Sequence, residues 1–311
     1  FQAEDGIRDR SPSRGLGDVY KRQLMDIRKR IDSVKKTQKT TSAMNMVSAA
    51  KLKRAENNIR SAIPYSDKLK EVVSSLRSRL SDEENPLFQE KDGEKTAVIL
   101  ITSDRGLCGG FNTNLCKRVL EQFAEIPTDH LTMTMIGRKG FDYFKRRSYE
   151  ILGNFQETRP EDQINVVREV ISQCIRRYEN GELDKVYLAY NHYRSVISQK
   201  PVIEQLIPIP KIETESPDER EVSFEPSPEA ILDRLLDKFL ENRVYVSWLD
   251  SNAGEHAARM TAMDSATKNA GDMIDKLQLK YNRTRQAATV SYTHLRAHET
   301  DSYLVCRLLL E

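Results

Sequence analysis

From Gln23 onward the chain carries a helical seam that few folds can accommodate. Ile27, Ile31, Val34, Gln38, Thr41, Asn45, Ser48, Leu52, Ala55, Ile59 and Ala62 recur at alternating spacings of four and three, the coiled-coil period. No glycine interrupts the stretch, and its first proline is Pro64, which should kink or end the helix. At ~1.5 Å per residue the segment from Met25 to Ile63 would be roughly 58 Å long. A second helical stretch, about 65–80, continues toward the next block. A matching seam lies near the other end: Leu249, Ala253, His256, Met260, Met263, Thr267, Ala270, Ile274, Leu277 and Tyr281. Its helix should begin near Ser227, with Pro228 in the first turn, and run to about Val290. Gly254 and Gly271 each weaken it by about 1 kcal/mol relative to Ala.

Between the two seams, strand and helix patterns alternate. TAVILIT (96–102) reads as a buried strand, SDRGLCGGFN as a Gly-rich turn, and 113–125 as a helix. LTMTMIG (131–137) reads as a strand, 138–147 as a short helix, and ILGNF (151–155) as a weaker strand. An amphipathic helix follows, capped by Gly181, then the strand KVYLAYNHY (185–193) and a segment at 200–209 that can pair with it. This β-α-β order argues for a mostly parallel sheet covered by helices. The fold class is therefore α/β plus a long antiparallel coiled coil, a Rossmann-like central domain flanked by N- and C-terminal helices. The expected organisation is an unstructured segment 1–22, a helix 23–80, an α/β domain 95–212, a linker 211–226, a helix 227–290 and a tail 291–311. Two helices too long for the domain to cover should bury their seams on each other as an antiparallel rod.

Composition narrows the function classes. Charged residues make up 31% and hydrophobic residues 38%, which suits long solvated helices better than one large core. No apolar run approaches the ~18 residues of a membrane span. Cys108, Cys116, Cys174 and Cys306 show no metal or disulfide spacing and read as buried, reduced thiols. The loop DRGLCGG (104–110) sits where phosphates bind, between a strand and a helix start. Neither Lys-Ser/Thr nor G-x-G-x-x-G spacing accompanies it, so it reads as a structural turn. No catalytic triad signature and no His/Cys cluster is present, and neither a cofactor nor a metal is expected. His192 and His256 read as packing or polar contacts.

The middle of the first seam is small and polar, while Met44, Met46, Val47, Met260 and Met263 crowd the same lengths. Not all of them can face one seam. They form either a loose coiled-coil core or an outer surface where soft methionines meet a partner. Between Asp26 and Arg54 stand nine Lys/Arg, including Lys51, Lys53 and Arg54, against two Asp. With a net charge of only +2, the rest of the chain is net negative and charge is polarised along the molecule. A basic helix suits a solvated face, an acidic protein surface or nucleic acid.

Three segments carry a resemblance. IRKRIDSVKKTQKTTSAMNMVSAAKLKRAENN (27–58), SDRGLCGGFNTNL (103–115) and WLDSNAGEHAARMTAMDSATKNAGDMIDKLQLKYNRTRQA (248–287) resemble, in order, the motifs of the F-type ATP synthase gamma family. The resemblance implies a non-catalytic rotor shaft that couples proton-driven rotation to the catalytic sites of the beta subunits. Its implied partners are the alpha and beta subunits, the epsilon subunit and the membrane rotor ring of c subunits, and not nucleic acid. Its implied location is peripheral, on the cytoplasmic face of a bacterial inner membrane. Residues that match the family's partner contacts are Met44, with Lys51, Lys53 and Arg54 on the same helix, and Arg285 and Gln286 near the tip. The family's redox-regulatory cysteine insert is absent. Residues 1–22 and SYTHLRAHETDSYLVCRLLLE depart from the family pattern and read as foreign sequence, with the native tip beyond Gln286 replaced. Two alternatives remain at this point: a nucleotide-binding α/β enzyme with helical arms, and a nucleic-acid-binding coiled-coil protein.

Overall fold

A computed structural model describes residues 13–77, 85–91, 93–147, 149–210 and 228–308. Its main elements are α1 (Ser13–Arg77), β1 (Thr96–Ile101), α2 (Phe111–Gln122), β2 (Leu131–Ile136), α3 (Arg138–Phe144), β3 (Glu150–Phe155), α4 (Gln163–Glu179), β4 (Lys185–Ser195), β5 (Ser198–Ile207) and α5 (Pro228–Leu308). Two compact units are present, and the division falls inside the long helices. One contains α1 up to Ala43 and α5 from Asp264; the other runs from Met44 to Met263.

In the Met44–Met263 unit the five strands are ordered β3-β2-β1-β4-β5. β1 pairs in parallel with β2 and β4, and β2 with β3. β5 returns antiparallel along β4 through a tight hairpin, with Ser195 opposite Ser198. Every residue of β1 and β2 is buried, as expected of parallel strands covered on both faces. Alternation along β1 feeds two cores. Ala97, Ile99 and Ile101 join Val167, Val170, Ile171 and Cys174 of α4, with Leu69 and Val73 of α1 and Leu232, Leu236, Leu240, Val244 and Trp248 of α5. Val98 and Leu100 join Leu115, Cys116 and Val119 of α2 and Phe144 of α3. The chain is thus a doubly wound sheet whose second face is covered partly by its own long helices.

Within this unit α1 and α5 pair antiparallel. Leu52, Ala253 and Ala257 form a small buried cluster flanked by Ala55, Ile59 and Met260. The Asn45 side chain donates to the Met260 carbonyl at 2.9 Å, and the Tyr193 hydroxyl donates to Glu56 at 2.8 Å. In the other unit the same pairing recurs. The Thr41 and Thr267 hydroxyls lie 2.7 Å apart, and Ile31, Ala270 and Ile274 are buried.

Three expectations need correction. Helix α1 begins at Ser13, inside the stretch read as unstructured; residues 1–12 lie outside the described residues. Helix growth adds a hydrogen bond for each residue fixed once a nucleus exists, so α1 extends backward without a seam of its own. Of the two outcomes expected at Pro64, a kink or an end, the end does not occur: α1 continues to Arg77. The carbonyl it leaves unbonded belongs to Arg60, an exposed position, where water can satisfy it. Helix α5 runs past Val290 to Leu308. The linker 211–226 lies outside the described residues.

Candidate functional site: a loop held by the second long helix

In a doubly wound sheet the crevice opens at the carboxyl ends of the strands, where the chain order reverses. Here that point lies between β1 and β4, and the loop Asp104–Gly110 leaves β1 beside it. Helix α5 packs against this place. A Cβ on Gly254 would stand 3.1 Å from the Phe111 ring and 3.6 Å from the Asn191 carbonyl. Glycine costs helix stability here but admits the close approach of α2 and β4. Asn191, buried on β4, donates to the Phe111 carbonyl at 3.2 Å, tying the strand to the start of α2.

The loop itself is heavily bonded. The Asn112 amide oxygen accepts from the Ser103 N–H at 3.0 Å, and its amide nitrogen donates to the Ser103 hydroxyl at 2.7 Å. Three amides at the start of α3, which have no partner within a helix, are taken up by the residues following β1. Arg138 N–H donates to Asp104 Oδ1 at 3.0 Å, and Gly140 N–H to Thr102 Oγ1 at 2.8 Å. Lys139 N–H donates to the Ser103 carbonyl at 3.0 Å. Leu107 and Gly109 both have positive φ, 65° and 58°. Gly109 takes this conformation without penalty, whereas Leu107 holds it under strain and is 62% exposed. Cys108, within the loop, is buried, and burial pushes its thiol up from its ordinary range, against a smaller opposing effect of the Ser103 contact and Arg259.

From α5, Arg259 reaches the loop. Its Nη2 donates to the Arg105 and Gly106 carbonyls, each at 3.2 Å, and to Glu255 Oε1 at 2.6 Å. Its Nε donates to the Gly106 carbonyl at 3.3 Å, and Nη1 lies 3.4 Å from His256 Nδ1. Only 8% of Arg259 is exposed. Burial pushes the Glu255 carboxyl up, while Arg259 and more distant Lys51 pull it down. His256 is pushed down to about 4 by burial first, then by Arg259 and Lys51. A second tie joins α5 to β4. Asp250 Oδ2 lies 2.5 Å from His192 Nδ1, and Oδ1 accepts the Tyr193 N–H at 3.2 Å. The reading of His192 and His256 as polar contacts fits this setting. Arg259, Glu255 and Asp250 were not legible as a group. The available signal was a Glu–Arg pair spaced by four, amid the small residues Ala253, Gly254, Ala257 and Ala258.

The residues singled out by resemblance are distributed as follows. Met44 is half-buried on α1, and Lys51, Lys53 and Arg54 are exposed on the same helix. Met46 and Val47 beside them are 65% and 56% exposed, so the methionine-rich stretch has an uncovered side. Arg285 and Gln286 are exposed on α5, in the other compact unit. No cluster of metal-ligating residues occurs among the described residues, and no described helix is long and apolar enough to cross a membrane.

A sheet doubly wound in this order, packed against two long helices that pair antiparallel, defines an α/β domain joined to a coiled coil. The family model described as ATP synthase matches residues 23–290. The ATP synthase gamma chain of Pelotomaculum thermopropionicum is 44% identical over 265 residues, which are 85% of this chain and 93% of that one. The gamma chain of Trichlorobacter lovleyi is 44% identical over 271 residues, with the same coverage. Among solved structures, the Euglena gracilis mitochondrial ATP synthase F1/c-ring assembly contains a chain of the same fold, with TM-score 0.60 and 15% identity over 91% of this chain and 94% of that one. The Tetrahymena thermophila central stalk and c-ring structure contains another, with TM-score 0.54 and 24% identity over 73% of this chain and 99% of that one. The chain belongs to the ATP synthase gamma family, whose members form the central stalk of F-type ATP synthases. These comparisons favour neither the nucleotide-binding enzyme nor the nucleic-acid-binding reading.

Proposed function

We propose that this central-stalk chain acts without catalytic residues of its own, as the shaft that carries rotation to the beta subunits of a ring of three alpha and three beta subunits. The paired helices would occupy the axial cavity of that ring. The α/β domain would lie outside it, with the epsilon subunit and the c-ring, on the cytoplasmic side of the membrane. An asymmetric shaft cannot present one face to three equivalent sites, so each beta subunit meets different side chains and is biased toward a different conformation. Proton flow through the membrane rotor would drive the turning.

The observation that carries this reading is the two-sidedness of α1. Ser48 and Leu52 are buried in the helix pair, while Met46, Val47, Lys51, Lys53 and Arg54 remain exposed along the same turns. Pairing with α5 therefore leaves a cationic, methionine-bearing surface for another partner. Met44, Lys51, Lys53 and Arg54 are assigned to beta-subunit contacts, and Arg285 and Gln286 to the ring nearer the tip. Residues 1–22 and 291–311 lie beyond the 23–290 family match and are assigned no role. Mixing the purified chain with alpha and beta subunits tests the proposal. A stable complex that gains ATPase activity only when the chain is present supports it. Failure to co-purify, or stoichiometric micromolar binding of ATP by the chain alone, overturns it.

A further inference from the structure

We infer that Arg259 is a positioning residue of the shaft, tying α5 to the loop Arg105–Gly106 so that the α/β domain follows the helix without angular slack. Where α5 meets the start of α2 and β4 its face is smooth: Gly254 packs on Phe111 and Asn191, while Ala253 and Ala257 are turned to Leu52 in the helix pair. Small side chains bring backbones close but supply no knobs, so contact of this kind resists separation better than sliding. Arg259 differs. A planar guanidinium aims several donors in set directions, and here it engages two successive carbonyls and a half-buried carboxylate at once.

A buried ion pair is a costly way to obtain adhesion, since an apolar pair of similar volume often does as well or better. What the pair adds is directional restraint. The loop it grips is bonded to α2 through Asn112 and supplies the start of α3 with acceptors. A restraint on Arg105 and Gly106 therefore acts on β1, α2 and α3 together. Asp250 provides a separate tie to β4 through His192 and Tyr193; among the described residues of α5, the hydrogen bonds to the loop carbonyls come from Arg259. Leu107, held at positive φ next to the gripped carbonyls, marks where the loop would relax on release.

The inference rests on the shaft reading, and the test separates the two. Arg259→Met and Arg259→Lys are compared with the unaltered chain in two measurements. The first is the rate of Cys108 alkylation in the full chain, located by mass spectrometry; Cys108, in the gripped loop, is 2% exposed. The second attaches a bead through Ile197→Cys, at an 85% exposed hairpin position, and records angular fluctuation during dwells in the complex with alpha and beta subunits. For Arg259→Met we expect Cys108 alkylation at least tenfold faster and an angular variance at least doubled, with ATP hydrolysis within twofold. Lys keeps a charge opposite Glu255 but lacks the fork, so Arg259→Lys should be intermediate in both. Unchanged alkylation, or faster alkylation with unchanged variance, overturns the inference. If Arg259→Met does not fold, Arg259→Lys decides by the same two criteria. If the unaltered chain forms no complex, the shaft reading fails and the inference about coupling falls with it. Alkylation rates then still show whether Arg259 holds the loop.

Discussion

His256 sits on α5 close to Arg259 and within reach of Lys51 on α1, and folding opposes its protonation. Burial, then Arg259 and Lys51, push its imidazole from the ordinary 6.5 down to about 4. The unfolded chain therefore takes up a proton between pH 6.5 and 4 that the folded chain refuses. The stability tied to this group is full above pH 6.5 and is lost as pH falls toward 4. Glu255 and Asp250, both pushed up by burial, act in the opposite sense, so a variant must isolate the histidine. His256→Gln should lose less stability than the unaltered chain on going from pH 7 to 4. With partial solvent access the difference should be about 1–2 kcal/mol, read from urea midpoints at each pH. An equal loss in both chains would remove His256 from the account. Gly254 offers a second test at this scale. Gly254→Val drives a branched side chain toward a ring already 3.1 Å from a Cβ. It should cost about 1–3 kcal/mol by overpacking, and thermal melting with no loss would contradict the close approach.

At the scale of elements, periodicity carried most of the information. Every seam position named on α1 and α5 is buried or half-buried, because the four-three spacing is a direct image of which side chains meet a second helix. Strand existence was equally readable. Apolar runs such as TAVILI have one stable home, inside a sheet covered on both sides. The starts and ends of the long helices were not readable, since helix extension needs no periodic partner once a nucleus exists. Nor could the spacing reveal the Arg259–loop contact, which joins residues about 150 positions apart through backbone carbonyls that carry no sequence signature. The seam itself is testable in the unit containing Asp264 onward. Ile274 is 8% exposed, whereas Leu277 is half-buried. Ile274→Asp should therefore destabilise more than Leu277→Asp, by several kcal/mol against about 1–2. Circular dichroism melts of both variants check the order; equal or negligible losses would count against the pairing.

At the scale of the whole molecule, charge and surface distinguish a shaft from a self-contained coiled coil. A helix pair that served only itself would bury its methionines and scatter its charges. Here Met46 and Val47 are exposed beside a run of cations. Replacing Lys51, Lys53 and Arg54 together by Glu should leave the melting of the isolated chain within about 0.5 kcal/mol per site, as for exposed positions. It should weaken assembly with the alpha and beta subunits at least tenfold at low salt, with the difference shrinking as salt screens the charges. Equal assembly across salt would place the contact elsewhere. The central claim is that this chain turns inside a catalytic ring and is not merely bound to one. Single-molecule observation of a bead on Ile197→Cys, in a complex of this chain with immobilised alpha and beta subunits, addresses that claim directly. The account predicts ATP-driven rotation in one direction with three dwells per turn. A complex that hydrolyses ATP while the bead only fluctuates about a fixed angle would contradict it.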